Sequence, residues 1–229
     1  MRKRISFVLK ILIVVLAFVG VIWSFFNSSS DGYSHWSKRL LYFTSQSNIW
    51  IALSALFILI LSQKHFVDAT RVKNFAYILR YILTVSITLT GFIFCFVLAP
   101  GAANDNYNAW TGASVVTHVL VPAISILDFF LDGYRVKLKK RHIPLVTIPP
   151  FLYMIFATVL VILKVDFGRG DVFPYFFFNY YSPAGVFGFS DEMPYIVGSF
   201  YWMVTILFML VGMGALYRLL YSIGRKKEK

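Results

Sequence analysis

Residues 144–163 read PLVTIPPFLYMIFATVLVIL, twenty positions without a Lys, Arg, Asp or Glu. At 1.5 Å per residue a helix of that length covers about 30 Å, the hydrocarbon thickness of a bilayer. Reading outward in windows of about 19 residues gives five further stretches of the same kind, at 5–26, 40–61, 78–99, 112–131 and 195–221. Hydrophobic residues make up 59% of the 229 and charged residues 14%, against about 25% charged in a soluble domain. Isolated strands cannot satisfy their backbone in lipid, so each stretch is expected to be a helix. The predicted fold is therefore all-α: a polytopic membrane protein whose residues 1–229 form a single bundle of six transmembrane helices.

The basic residues set an expected orientation. Eighteen of the 22 Lys and Arg fall at the amino end, in the connections after the second and fourth stretches, and at the carboxyl end, leaving Lys38, Arg39, Lys164 and Arg169 opposite. Positive charge stays on the cytoplasmic side, which places both termini there. The net charge of +12 is accounted for by anionic lipid headgroups beside the spans and calls for no nucleic acid. Arg2, Lys3 and Arg4 before an apolar run also describe a secretory signal, but the length of the run and the lack of an A-x-A-like site favour a retained anchor. Lys10 is expected to snorkel to the headgroups. Cys95 is the sole cysteine, so no intrachain disulfide forms and the redox compartment is not indicated. No pattern of polar or glycine positions relates the first three spans to the last three, as a repeat-built transporter would require. Oligomeric state is not encoded in any feature of this kind.

Polar residues inside the spans must be satisfied within the protein, and they carry the functional information. The second span opens with five consecutive polar residues, Thr44, Ser45, Gln46, Ser47 and Asn48. Thr44, Ser47 and Asn48 stand at i, i+3 and i+4 and share one face, which must point into the bundle, where such residues also serve to glue helices together. On the fourth span Ser114, His118, Ser125, Asp128 and Asp132 fall within one stripe. Pro122 follows His118 by four, frees the His118 carbonyl and is expected to kink the helix beside the imidazole. Counted from the outer ends of their spans, Thr44 lies about 6 Å deep and His118 about 9 Å, so the two can meet. Asp128 stands about 15 Å further along the axis and cannot orient this histidine. Asp128 and Asp132 are expected to pair with the basic cluster that starts at Arg135.

A hydroxyl beside a neutral imidazole is the arrangement for acyl transfer: the ring takes the proton as the oxygen attacks and returns it to the leaving alkoxide. Such a reaction needs donors for the oxyanion, for which Asn48 and Ser47 are the neighbouring candidates, and a third group to hold the ring. His118 fits equally well as a buried histidine satisfied by a helix neighbour. No second histidine joins it at its depth, since His35 is near the outer surface and His65 and His142 lie in connections, so neither a metal nor an organic cofactor is expected. Residues 164–193 form the one long connection, with ten aromatic residues among thirty. That segment is expected either to cover the outer mouth of the bundle or to form an interfacial aromatic belt.

The runs Tyr42-Phe43-Thr44-Ser45-Gln46-Ser47-Asn48, Thr117-His118-Val119-Leu120-Val121-Pro122 followed by Asp128, and Phe173-Pro174-Tyr175-Phe176 resemble the androgen-induced and androgen-dependent six-pass membrane proteins, and more closely their uncharacterised bacterial relatives. The resemblance covers nearly the whole chain. It implies a threonine hydrolase that splits fatty acid esters of hydroxy fatty acids in a bacterial plasma membrane, with Thr44 as nucleophile and His118 as base. Ser47, Asn48 and Ser114 would support them, and Phe173, Tyr175 and Phe176 would contact a lipid ester substrate. The aromatic run departs from the relatives' Y-P-Y-P-F-like pattern, because no second proline follows Tyr175. Two other classes remain open from the residues: a transporter using the polar stripe of the fourth span as a pathway, and a non-catalytic membrane interaction protein.

Overall fold

The computed structural model describes residues 2–63, 70–102, 108–132 and 136–226. Lys64, His65, Arg135, Lys227 and Lys229, which entered the charge and histidine readings above, lie outside the described residues. Six helices are long and apolar enough to cross a membrane: α1 (Arg2–Phe26), α2 (Phe43–Leu61), α3 (Thr70–Leu98), α4 (Gly112–Leu131), α5 (Lys140–Ile162) and α6 (Ser199–Gly224). The chain is an integral membrane protein, and no strand occurs among its described residues.

Helix ends depart from the apolar windows because a helix need not stop where hydrocarbon does. α3 begins eight residues before the window, at Thr70, carrying Arg71, Lys73 and Asn74 toward the headgroups. α2 begins later than expected, at Phe43, since Trp36–Leu41 form a 3₁₀ turn that His35 caps through its Nδ1. Thr44 therefore belongs to the first turn of α2 rather than lying a turn inside it. α6 begins at Ser199, four residues after its window.

Two apolar cores share α3. One joins α1, α2, α3 and α4 through residues such as Ile13, Ala17, Ile51, Ala52, Ile87 and Val121. The other joins α3, α5 and α6 with the long connection, through Tyr81, Val85, Tyr153, Phe178 and Leu210. Many large side chains on the outer surfaces of the helices are exposed, among them Val19, Leu152, Ile162 and Phe208, as expected where lipid replaces water as the neighbour.

At the end of the bundle where α1 and α3 begin, four charges meet inside the first core. Lys10 donates to Asp128 Oδ1 at 2.9 Å and to Asp132 Oδ2 at 2.5 Å, and Arg80 donates to Asp128 Oδ2 at 3.0 Å. Ser6 and Tyr77 add hydrogen bonds to Asp128 and Asp132, and Ser54 accepts from Arg80. Two expectations are corrected here. Lys10 does not snorkel: it is 4% exposed, because two carboxylates within its reach offer more than a distant headgroup. Among the described residues the two acids are held by Lys10 of α1 and Arg80 of α3, while the expected partner Arg135 lies outside the described residues; Arg80 is a buried residue of α3 instead of a flanking one. Two cations and two anions cancel, which is what permits such burial.

Removing one member leaves an uncompensated charge in a low-dielectric core. Asp128→Asn is expected to destabilise the bundle by about 3–5 kcal/mol. Lys10→Met combined with Asp132→Asn should cost less than the sum of the two single changes, as read from a double-mutant cycle of unfolding in detergent.

Candidate active site

The long connection folds back over the N-terminal end of α2. Asp166 Oδ1 accepts the amides of Gly168 (2.7 Å) and Gly170 (3.1 Å), and Lys38 donates to the Asp166 carbonyl at 2.7 Å. The Gly168 amide, followed by Gly170, Ser34 and Lys38, holds the Asp166 carboxyl below its ordinary range. This turn seats Phe167, fully buried, edge-on against Tyr42. A 3₁₀ turn at Phe176–Phe178 then carries Phe177 and Phe178 inward, beneath Tyr175.

Below this cover, Thr44 Oγ1 lies 3.1 Å from His118 Nε2. His118 Nδ1 lies 2.9 Å from the carbonyl oxygen of Ser114, one turn earlier in α4. A carbonyl only accepts, so Nδ1 carries the proton and Nε2 presents a lone pair to the Thr44 hydroxyl. Phe94 stacks on the imidazole with ring centroids 4.0 Å apart and planes within 17°, which fixes the ring plane. Both Phe94 and His118 sit in π-helical turns, Phe94–Leu98 in α3 and Val116–Leu120 in α4; such wide turns recur at functional sites.

The backbone of the pair is locked by Asn48, which is fully buried. Its amide nitrogen donates to the Thr44 carbonyl at 2.8 Å and to the Thr117 carbonyl at 3.1 Å. Ser47 Oγ bonds the Thr44 carbonyl and Thr90 Oγ1 of α3, at 3.1 and 2.9 Å. Neither side chain is free to serve an oxyanion, contrary to the expectation from spacing: both protons are committed to holding α2 against α3 and α4. Ser114 supports His118 through its carbonyl rather than through its hydroxyl.

The candidate donors near Thr44 lie elsewhere. Tyr42 places no side-chain hydrogen bond on the start of α2, and the first-turn amides of a helix have no partner within it. Tyr175 lines the same cavity as Thr44, and its phenol faces the Thr44 side chain and the backbone at Phe43 and Thr44. Burial pushes the Tyr175 phenol up to about 12, so it keeps its proton at neutral pH.

Thr44, His118 and Tyr175 open on a cavity of about 50 Å³ whose remaining walls are almost wholly apolar, including Ile93 of α3, Met154 of α5, Phe178 of the connection and Ile206 of α6. Of the three aromatic residues expected at the substrate, only Tyr175 lines it. Phe176 packs edge-on against Trp202 behind the wall, and Phe173 lies against the second core, while Phe177 and Phe178 take the lining positions.

Gly91 has a part that its sequence position did not signal. A β-carbon there would stand 2.7 Å from the His118 carbonyl and 3.2 Å from Pro122 Cβ. α3 approaches α4 closely at the point where Pro122 has removed the donor that the carbonyl would otherwise meet. Gly91→Ala is expected to push the helices apart, lower stability by about 1–3 kcal/mol, and loosen the stacking of Phe94 on His118; thermal unfolding in detergent measures the first effect.

In comparisons with known proteins, no family model, curated protein or solved structure matches the chain.

Proposed function

We propose that the protein is a membrane-embedded hydrolase of lipid esters, with Thr44 as nucleophile and His118 as base and then acid. The observation that carries this reading is the 3.1 Å contact between Thr44 Oγ1 and His118 Nε2, with the opposite ring nitrogen held by a carbonyl, at the wall of an apolar cavity. A histidine kept only for packing would have its nitrogens satisfied in the same way; what favours catalysis is that the pair opens on a cavity instead of being sealed in the core.

In the first half-reaction Thr44 Oγ bonds to the ester carbon, its proton passes to His118 Nε2, and the carbonyl π pair moves onto oxygen. Collapse breaks the bond to the alcohol, and the departing alkoxide takes the proton from Nε2. The acyl group now rests on Thr44. Water then adds to the acyl carbon, gives a proton to Nε2, and releases the carboxylic acid as Thr44 regains its proton. Tyr175 and the first-turn amides of α2 are the donors for the oxyanion in both steps. The apolar walls suit long acyl chains, and the resemblance of the motifs around Thr44, His118 and Tyr175 to those of fatty-acid-ester threonine hydrolases supports a fatty acid ester of a hydroxy fatty acid as substrate. The excess of Lys and Arg at the two ends and in the second and fourth connections supports an orientation with both termini in the cytoplasm and the cavity in the outer leaflet, and the resemblance to bacterial relatives supports a bacterial plasma membrane.

Purified in detergent, the full chain is expected to react with a fluorophosphonate probe and to hydrolyse long-chain esters. Thr44→Ala and His118→Ala should each abolish labelling and lower hydrolysis by at least about 10³-fold; labelling retained by both variants would remove the assignment. Tyr175→Phe is expected to lower kcat by about 10²-fold with KM little changed, as steady-state kinetics would read.

A further inference from the structure

A second cavity lies at the other end of the bundle from Thr44, on the flank between α3 and the start of α5. It is an open groove of about 490 Å³ whose floor is Phe75, Ile78, Leu79 and Ile82 of α3 and Leu145 of α5. Phe75 to Ile82 spans about 10 Å of helix, the reach of a substantial part of an acyl chain. Arg141 and His142 complete the lining, and they sit where α5 begins, so the groove is apolar along its length and basic at one end.

The charge at that end is one-sided. The charges that act on the His142 ring are Arg141, Lys139 and Arg218, all of one sign. Lys139, Lys140 and Arg141 are exposed. The acids of this half of the bundle among the described residues, Asp128 and Asp132, are turned inward to Lys10 and Arg80. His142 Nδ1 accepts the Lys139 amide at 3.2 Å, so in the neutral ring the proton lies on Nε2 and is available as a donor. An exposed guanidinium, two ammonium groups and an imidazole N–H at the mouth of a hydrocarbon-lined groove fit one chemistry: a phosphate ester attached to an acyl chain.

We propose that this groove holds an anionic glycerophospholipid, one acyl chain lying along Phe75, Leu79 and Ile82 and the phosphate on Arg141 and His142 with Lys139 beside them. The site does not depend on the ester-hydrolase reading, because it shares no residue with the Thr44 cavity.

The test is native mass spectrometry of the full chain in detergent, titrated with phosphatidylglycerol and phosphatidylcholine of identical acyl chains. Phosphatidylglycerol should be retained at least about fivefold better. Arg141→Ala combined with Lys139→Ala should bring the two lipids to equal retention, with thermal unfolding unchanged because both side chains are exposed. Leu79→Trp, which fills the floor, should lower retention of phosphatidylglycerol even with the basic residues intact. Equal retention of the two lipids by the unaltered protein, or undiminished preference in the double variant, would overturn the proposal. Displacement of phosphatidylglycerol by an equal concentration of oleate would also overturn it, reassigning the groove to a free fatty acid.

Discussion

Hydrocarbon offers no hydrogen bonds, so every polar group carried into the bilayer must find its partner inside the chain. That constraint organises this protein at two levels. Near one end of the bundle it brings Lys10, Arg80, Asp128 and Asp132 together and so ties α1, α3 and α4 to one another. Near the other it gathers Thr44, Ser47, Asn48, Thr90, Thr117 and His118 into a continuous set of contacts between α2, α3 and α4. The charged knot serves to pin the helices, and the neutral cluster uses the same pinning to hold a hydroxyl against an imidazole. α4 belongs to both, which is why its polar stripe runs the length of the helix.

The second core completes the site with different means. α5, α6 and the long connection contribute aromatic and aliphatic surface, together with one polar group beside Thr44 at the candidate site, the Tyr175 hydroxyl. The cavity therefore lies at a seam: one wall is fixed by hydrogen bonds and ion pairs, and the facing wall is hydrocarbon packed on hydrocarbon. A lipid substrate needs this division, since its acyl portion wants dispersion contacts and its ester wants oriented dipoles.

Much of this was legible before any coordinates. Six apolar windows foretell six helices because the bilayer imposes a length, and the stripe of Ser114, His118, Ser125 and Asp128 foretells an inward face because lipid rejects it. Depth alone allowed Thr44 and His118 to meet, and the rotation of α2 and α4 that turns them toward each other was not readable. Other features were hidden for physical reasons. Lys10 sits near a span's end in sequence, where snorkelling and burial look alike, and only the position of α4 decides between them. Ser47 and Asn48 have the right chemistry for donors, but which acceptor takes their protons depends on helix rotation. Tyr175 lies in an irregular segment with no period to read, so its reach to the start of α2 could not be counted along an axis. Gly91 marks a close approach of two helices, which no single-chain pattern announces.

The position of the Asn48 carboxamide has a mechanical consequence. Its two N–H groups grip the Thr44 carbonyl and the Thr117 carbonyl next to His118, so α2 and α4 are geared together at the level of the hydroxyl–imidazole contact. Rocking of the two rods in a fluctuating bilayer carries both partners along as a unit. The short jump between oxygen and nitrogen is thereby insulated from the breathing of the membrane around it, and the play required for a bulky guest is relegated to the greasy side of the seam.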